Sequence, residues 1–139
     1  MKQIIRNILA FLGGLISGSI VNMGLITIGS KLIVPPSGVD VSDMESLKSF
    51  MHLFEAKHFI FPFLGHALGT FAGAYLTSKF VVNHHMQFAI GIGLFFLLGG
   101  IVNVFMLPSP VWFTVLDLGG AYIPMGWLAG KMNQKMMNE

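Results

Sequence analysis

The stretch FVVNHHMQFAIGIGLFFLLGGIVNVFMLPSPVWFTVL, from Phe80 to Leu116, holds no Asp, Glu, Lys or Arg in 37 residues. An apolar helix rising about 1.5 Å per residue crosses the hydrocarbon of a bilayer in about 20 residues. This run is too long for one crossing, and Pro108-Ser109-Pro110 interrupts it. Proline lacks the amide donor that a helix interior requires, so two prolines in three residues mark a turn. The run therefore reads as two spans back to back, about Phe88–Leu107 and Val111–Gly130.

Two charge-free intervals lie upstream, 24 residues between Arg6 and Lys31 and 21 between Lys57 and Lys79. Each holds one span, about Asn7–Ile33 and Phe59–Val82. The sequence thus predicts an all-α fold, a single multi-pass transmembrane domain over residues 1–139 built as a four-helix bundle. Composition agrees: hydrophobic residues make up 54% of the chain, charged residues 10%, and mean hydropathy is +0.75. Soluble domains carry about 25% charged residues, and so few charges cannot coat a small globule. The same figures exclude intrinsic disorder and nucleic-acid binding. The absence of Cys excludes disulfides and thiolate metal sites.

Lys2 and Arg6 precede the first apolar stretch, as they would in a cleaved signal peptide. The stretch is longer than a signal h-region and no A-x-A-like site closes it, so a retained anchor is expected. Lys2, Arg6, Lys79, Lys131 and Lys135 fall on one side of the four spans. Lys31, Lys48 and Lys57 fall on the other, diluted by Asp40, Asp43, Glu45 and Glu55. Basic residues favour the cytoplasmic side, so both termini are expected there.

The first connection, Val34 to His58, is long enough to carry structure. Pro35-Pro36 stops the first span. Ser42-Asp43-Met44-Glu45 reads as a capping box, with Ser42 as N-cap and Glu45 reaching back. Met44, Leu47, Met51 and Phe54 follow at helical spacing, opposite Lys48, His52 and Glu55. The pattern predicts a short amphipathic helix lying at the extracytoplasmic surface. A lid over a cavity facing that side is the rival reading. His52, Glu55 and His58 would then mark an entrance. His84 and His85 fall in the turn between the second and third spans, where lipid headgroups are expected.

Small residues recur every four positions: Ala10, Gly14, Gly18 and Asn22 in the first span, and Gly65, Gly69, Gly73 and Thr77 in the second. In lipid the hydrophobic effect does not drive helices together, and such stripes permit close backbone approach. The sequence leaves open whether the stripes meet within one chain or between copies. A homo-oligomer is expected, because four short helices cannot enclose a wide pore.

Each span also contains one side chain that is costly in lipid: Asn22, His66, Asn103 and Asp117. Counted along the helices, all four fall between the extracytoplasmic surface and the midplane, on the faces that carry small residues. They are expected to converge as a ligand or ion pathway, with His66 and Asp117 as the titratable pair. The alternative is interhelical hydrogen-bond glue. Pro124, after Gly119-Gly120, is expected to kink the fourth span as a hinge and to free the Gly120 carbonyl near Asp117. Two strong ligands are too few for a transition metal, so no metal and no cofactor are expected. No H-E-x-x-H, G-x-S-x-G or phosphate-binding loop occurs.

The stretches NMGLITIGSKLIVPPSGVD (Asn22–Asp40), FPFLGHALGTFAGA (Phe61–Ala74) and FFLLGGIVNVFMLPSP (Phe95–Pro110) resemble a set of uncharacterised small bacterial inner-membrane proteins. The resemblance implies an address, the inner (cytoplasmic) membrane with the lipid bilayer as partner, and no activity. Three functional readings follow. The first is a small-solute or proton-coupled ion pathway through the polar cluster. The second is a structural or accessory subunit in which the cluster only holds helices together. The third is a lipid-active enzyme with an elongated cavity open to lipid at the level of Asp117.

Overall fold

The computed structural model describes all 139 residues. The chain is all-helical. In order it forms α1 (Lys2–Leu32), α2 (Met44–Phe50), α3 (Ile60–Phe80), α4 (His85–Met106), α5 (Val111–Gly120) and α6 (Ile123–Asn138). Two 3₁₀ turns, Met51–Leu53 and Ala56–Phe59, lead from α2 into α3. Three helical segments are long and apolar enough to cross a membrane: Lys2–Leu32, Ala56–Phe80 and His85–Met106.

The expected fourth span is two helices. The chain breaks at Ala121-Tyr122, and Pro124 stands in the first turn of α6. There an absent amide donor costs nothing, because the first turn of a helix has no intrahelical acceptor for it. Pro124 and Gly120, expected as the hinge of one kinked helix, instead flank the junction of two.

Helix α3 is the centre of the fold, packed against α1, α4 and α6. Its buried residues are Gly65, Ala67, Gly69, Thr70, Gly73, Ala74, Thr77 and Ser78, all small. Small side chains let three neighbours approach one axis. The only buried residues of α1 are Gly14, Gly18 and Gly29. Its stripe meets that of α3 antiparallel, 10 against 77, 14 against 73, 18 against 69 and 22 against 65. A Cβ placed on Gly14 would lie 2.6 Å from the Gly73 carbonyl oxygen, and one on Gly69 would lie 2.7 Å from that of Gly18. The Thr77 hydroxyl donates to the Ala10 carbonyl at 3.2 Å. The stripes therefore meet inside one chain. Gly93 and Gly126 open the α4–α6 contact in the same way, each Cβ position lying about 3 Å from a facing carbonyl. Ala74, Ala89, Ile92 and Ala129 fill the space between α3, α4 and α6.

Both termini lie at one end of the bundle, beside the α3–α4 turn. The Arg6 Nε donates to the Phe80 carbonyl at 2.9 Å, and the Asn7 Oδ1 accepts from the Val82 amide at 2.8 Å. His85, expected to face headgroups, instead bonds through Nδ1 to the Ser78 carbonyl at 2.6 Å, where Asn133 Nδ2 also donates at 3.0 Å. The Ser78 carbonyl, in the last turn of α3, is thereby satisfied.

At the opposite end, the N-cap of α2 is Asp43, not Ser42. Its carboxylate accepts from the amides of Glu45 and Ser46 at 3.3 and 3.1 Å. A carboxylate at a helix N-terminus also meets the positive end of the dipole. The Ser42 amide is taken up by Asp40 Oδ1 at 2.8 Å, which fixes the preceding turn. The helix is shorter than the apolar spacing suggests and ends before Phe54.

Candidate functional site

Of the four polar side chains expected to converge, Asn22, His66 and Asn103 line one cavity and Asp117 stands behind His66. His66, two turns into α3, meets Asp117 on α5, with His66 Nδ1 and Asp117 Oδ1 2.8 Å apart. The second oxygen, Oδ2, accepts from the Tyr122 hydroxyl at 3.0 Å. Asp117 is buried, with 5% of its surface exposed. Both its oxygens are occupied, as a buried carboxylate requires. The imidazole also stacks on the Tyr122 ring, centroids 5.7 Å apart.

Sequence reasoning passed over Tyr122 for a geometric reason. Five residues along a continuous helix turn a side chain about 140° away from the first. The break at Ala121-Tyr122 cancels that rotation and returns the phenol to Asp117. Gly100 on α4 makes room, since a Cβ there would fall 2.6 Å from the Tyr122 hydroxyl.

In front of this triad lies a cavity of about 800 Å³ between α1, α3 and α4, roofed by α2. His66, Asn22, Asn103, Tyr122 and Thr70 line it. Asp117 does not; His66 and Tyr122 stand between it and the cavity. The carboxylate engages Nδ1, which leaves Nε2 as the free hydrogen-bonding group of the ring. That nitrogen has no partner within the protein, and His66 borders the cavity.

Asn22 and Asn103 make no side-chain hydrogen bond to another helix. The Asn22 Oδ1 is buried and unpartnered, against Gly65. The Thr70 hydroxyl, one turn beyond His66 and 1% exposed, is also buried and unpartnered. Thr70 carries no signal in the sequence, since threonine within a helix usually returns its hydroxyl to a backbone carbonyl.

The three residues expected at an entrance separate. His58 lines the cavity, but both its ring nitrogens are used locally: Nδ1 accepts from the Glu55 amide at 2.9 Å and Nε2 meets the Val34 carbonyl at 3.2 Å. His52 and Glu55 are exposed and outside the cavity, and Glu55 pairs with Lys57 at 3.4 Å. In their place, Met44, Leu47, Met51 and Phe54 turn the apolar side of α2 and its following turn onto the cavity. Met51 packs with Phe59 and Phe113, which ties this roof to α3 and α5.

No Asp, Glu, Lys or Arg lines the cavity. His, Asp and Glu side chains nowhere gather in groups of three or more. A second, shallower cleft of about 590 Å³ lies between the ends of α1 and α3 near the termini, lined by Lys2, Arg6 and Phe80 among others. The two share no lining residue. Comparison with known proteins returns no matching family model, no matching curated protein and no matching solved structure.

Proposed function

We propose that the chain is a four-span protein of the bacterial inner membrane, with both termini cytoplasmic, that binds a small uncharged solute in the cavity beneath α2. On this reading α5 and α6 together make the fourth crossing. The observation that carries the proposal is the cavity wall, where His66 Nε2, without a partner in the protein, and the Asn103 side chain, without a hydrogen bond to another helix, stand in a lining free of Asp, Glu, Lys and Arg. Polar groups that serve only as glue are bonded to the helices they join. These are not, and a bound molecule supplies the hydrogen bonds they lack. The absence of charged side chains around the cavity favours a neutral solute over an ion. His66 is the group able to exchange a proton with the bound molecule, and Asp117 holds its ring in place. Carriage of the solute across the membrane requires a second arrangement of α1 on α3 that joins the two clefts.

A ligand that binds the folded chain raises its melting temperature by mass action. The test is a thermal-shift series on the purified full chain with short diols, long-chain alcohols and hydroquinones. A shift in the wild type that disappears in Asn103→Ala and His66→Ala supports the reading. No shift with any compound, or an equal shift in all three proteins, overturns it. Vesicle flux with a compound that binds, comparing wild type with a His66→Ala, Asp117→Asn double variant, then separates carriage from binding.

The accessory-subunit reading has its own support, since His66, Asp117 and Tyr122 bond one another across α3 and the α5–α6 junction. It predicts loss of stability in the double variant with no solute effect in any protein.

A further inference from the structure

Resting on the reading of the cavity as a ligand site, we infer that its occupant enters sideways from the bilayer and is an uncharged amphiphile with a hydroxyl head. The route is set by how α1 is held. It packs along α3 and scarcely touches α4, so the cavity reaches the outside between α1 and α4. Met23 and Thr27 on α1 and Gly99 on α4 line the cavity and are exposed. A Cβ on Gly99 would meet nothing within 4 Å. The helix surfaces beside this window are apolar, with Ile20 and Ile28 exposed on α1 and Phe95, Leu98 and Val102 on α4. In a membrane, acyl chains cover such surfaces.

At the aqueous end Met44, Leu47 and Met51 line the cavity together with Ser42 and Ser109, and the short diol tests entry from that side.

The head follows from the wall chemistry. Without a lysine or arginine a phosphate would be desolvated unpaired, and without a carboxylate so would an ammonium. The polar groups bordering the cavity are the His66 ring, whose Nε2 has no partner in the protein, and the Asn22 and Asn103 side chains. A hydroxyl both donates and accepts, so it can bond an imidazole nitrogen and a side-chain amide at once. The remaining wall, with Ile26, Phe61 and Phe96, suits a hydrocarbon chain. Long-chain alcohols and hydroquinones share this chemistry with short, water-soluble diols, and the source distinguishes them.

The experiment uses the full chain in phosphatidylethanolamine–phosphatidylglycerol vesicles. One probe is a long-chain alcohol with a photoreactive diazirine near its hydroxyl. The other is a short diol with the same diazirine. Labelled positions are mapped by mass spectrometry. The expected result is long-alcohol labelling of residues 22–27, 61–70 and 96–103, displaced by unlabelled long-chain alcohol but not by glycerol or an alkyl phosphate. Gly99→Trp, whose ring occupies the window, is expected to lower labelling roughly tenfold, and Thr27→Trp on the opposite rim to do the same. Gly99→Ala retains it. Labelling of the cavity by the short diol alone, or long-alcohol labelling indifferent to both tryptophans, overturns the sideways route and leaves the ligand-site reading standing. Labelling of the cavity by neither probe overturns both.

Discussion

His66 Nδ1 and Asp117 Oδ1 lie 2.8 Å apart, joining the central helix to the only acidic side chain within the apolar helices. The Tyr122 hydroxyl holds the other carboxylate oxygen, so the acid is sealed and its effect reaches the cavity through the imidazole and the phenol. Substitution at Asp117 therefore acts in two ways. Asp117→Asn keeps a hydrogen-bonding oxygen and the fold but frees the imidazole to turn. Asp117→Leu leaves His66 and Tyr122 both unpaired and lowers the melting temperature more. A double-mutant cycle with His66→Phe is expected to give a coupling of about 1–2 kcal/mol, the upper range for polar pairs between membrane helices. Additive effects would show that the pair does not form in lipid.

Thr70→Val replaces an unpartnered hydroxyl with a methyl of similar size. Removing a buried polar group that makes no bond is stabilising, by about 1 kcal/mol. The ligand-free variant is expected to melt at or above the wild-type temperature. A clear fall would mean the hydroxyl is bonded in the folded protein.

Glycines in α1 divide into two sets by what lies opposite. Gly18→Ala drives a methyl into the Gly69 carbonyl, and Gly14→Ala into the Gly73 carbonyl. Each is expected to cost about 1–3 kcal/mol, because backbone must move apart. Gly13→Ala and Gly24→Ala face open space. They are expected to be neutral or to stabilise by up to about 1 kcal/mol through helix propensity. Melting curves in one detergent compare all four, and equal effects would argue against the α1–α3 register.

Asp43 caps α2, whereas Ser42 does not. Asp43→Ala is expected to cost about 1 kcal/mol locally and to speed hydrogen exchange across residues 44–50, while Ser42→Ala leaves it unchanged. The reverse order would restore Ser42 as the cap.

The chain has no cysteine, so single cysteines report sidedness without background. Ser37→Cys and Ser109→Cys are expected to react with an impermeant maleimide from outside spheroplasts. Gln87→Cys and Glu139→Cys are expected to react only after lysis. Any other grouping overturns the cytoplasmic placement of both termini.

Much of the architecture is legible in residue order alone. The charge-free runs mark the three long helices, because an extended apolar segment is tolerated only where water is absent. The four-residue stripes mark the contact faces of α1 and α3, because spacing along a helix converts directly into direction around it. His66 and Asp117 stand out for the same reason: an ionisable side chain among apolar neighbours must find a partner. What surrounds them was settled by events that periodicity does not encode. Pro124 signals a departure from regular helix, but not that the chain would break outright at Ala121 and turn Tyr122 onto Asp117. Thr70 looks like any helical threonine until three neighbours close around it. Ser42 and Asp43 are both competent caps, and the preceding turn chose between them by engaging Ser42 with Asp40.

The order of residues by itself determined which segments are apolar, which faces are smooth and which side chains are costly to bury, since these depend on local composition and a fixed helical pitch. Only the tertiary structure decided that the stripes pair within one chain, that the acid is screened from the cavity and that Tyr122 returns to Asp117. Those outcomes depend on how helices distant in sequence fit together, and helical pitch carries no information about that.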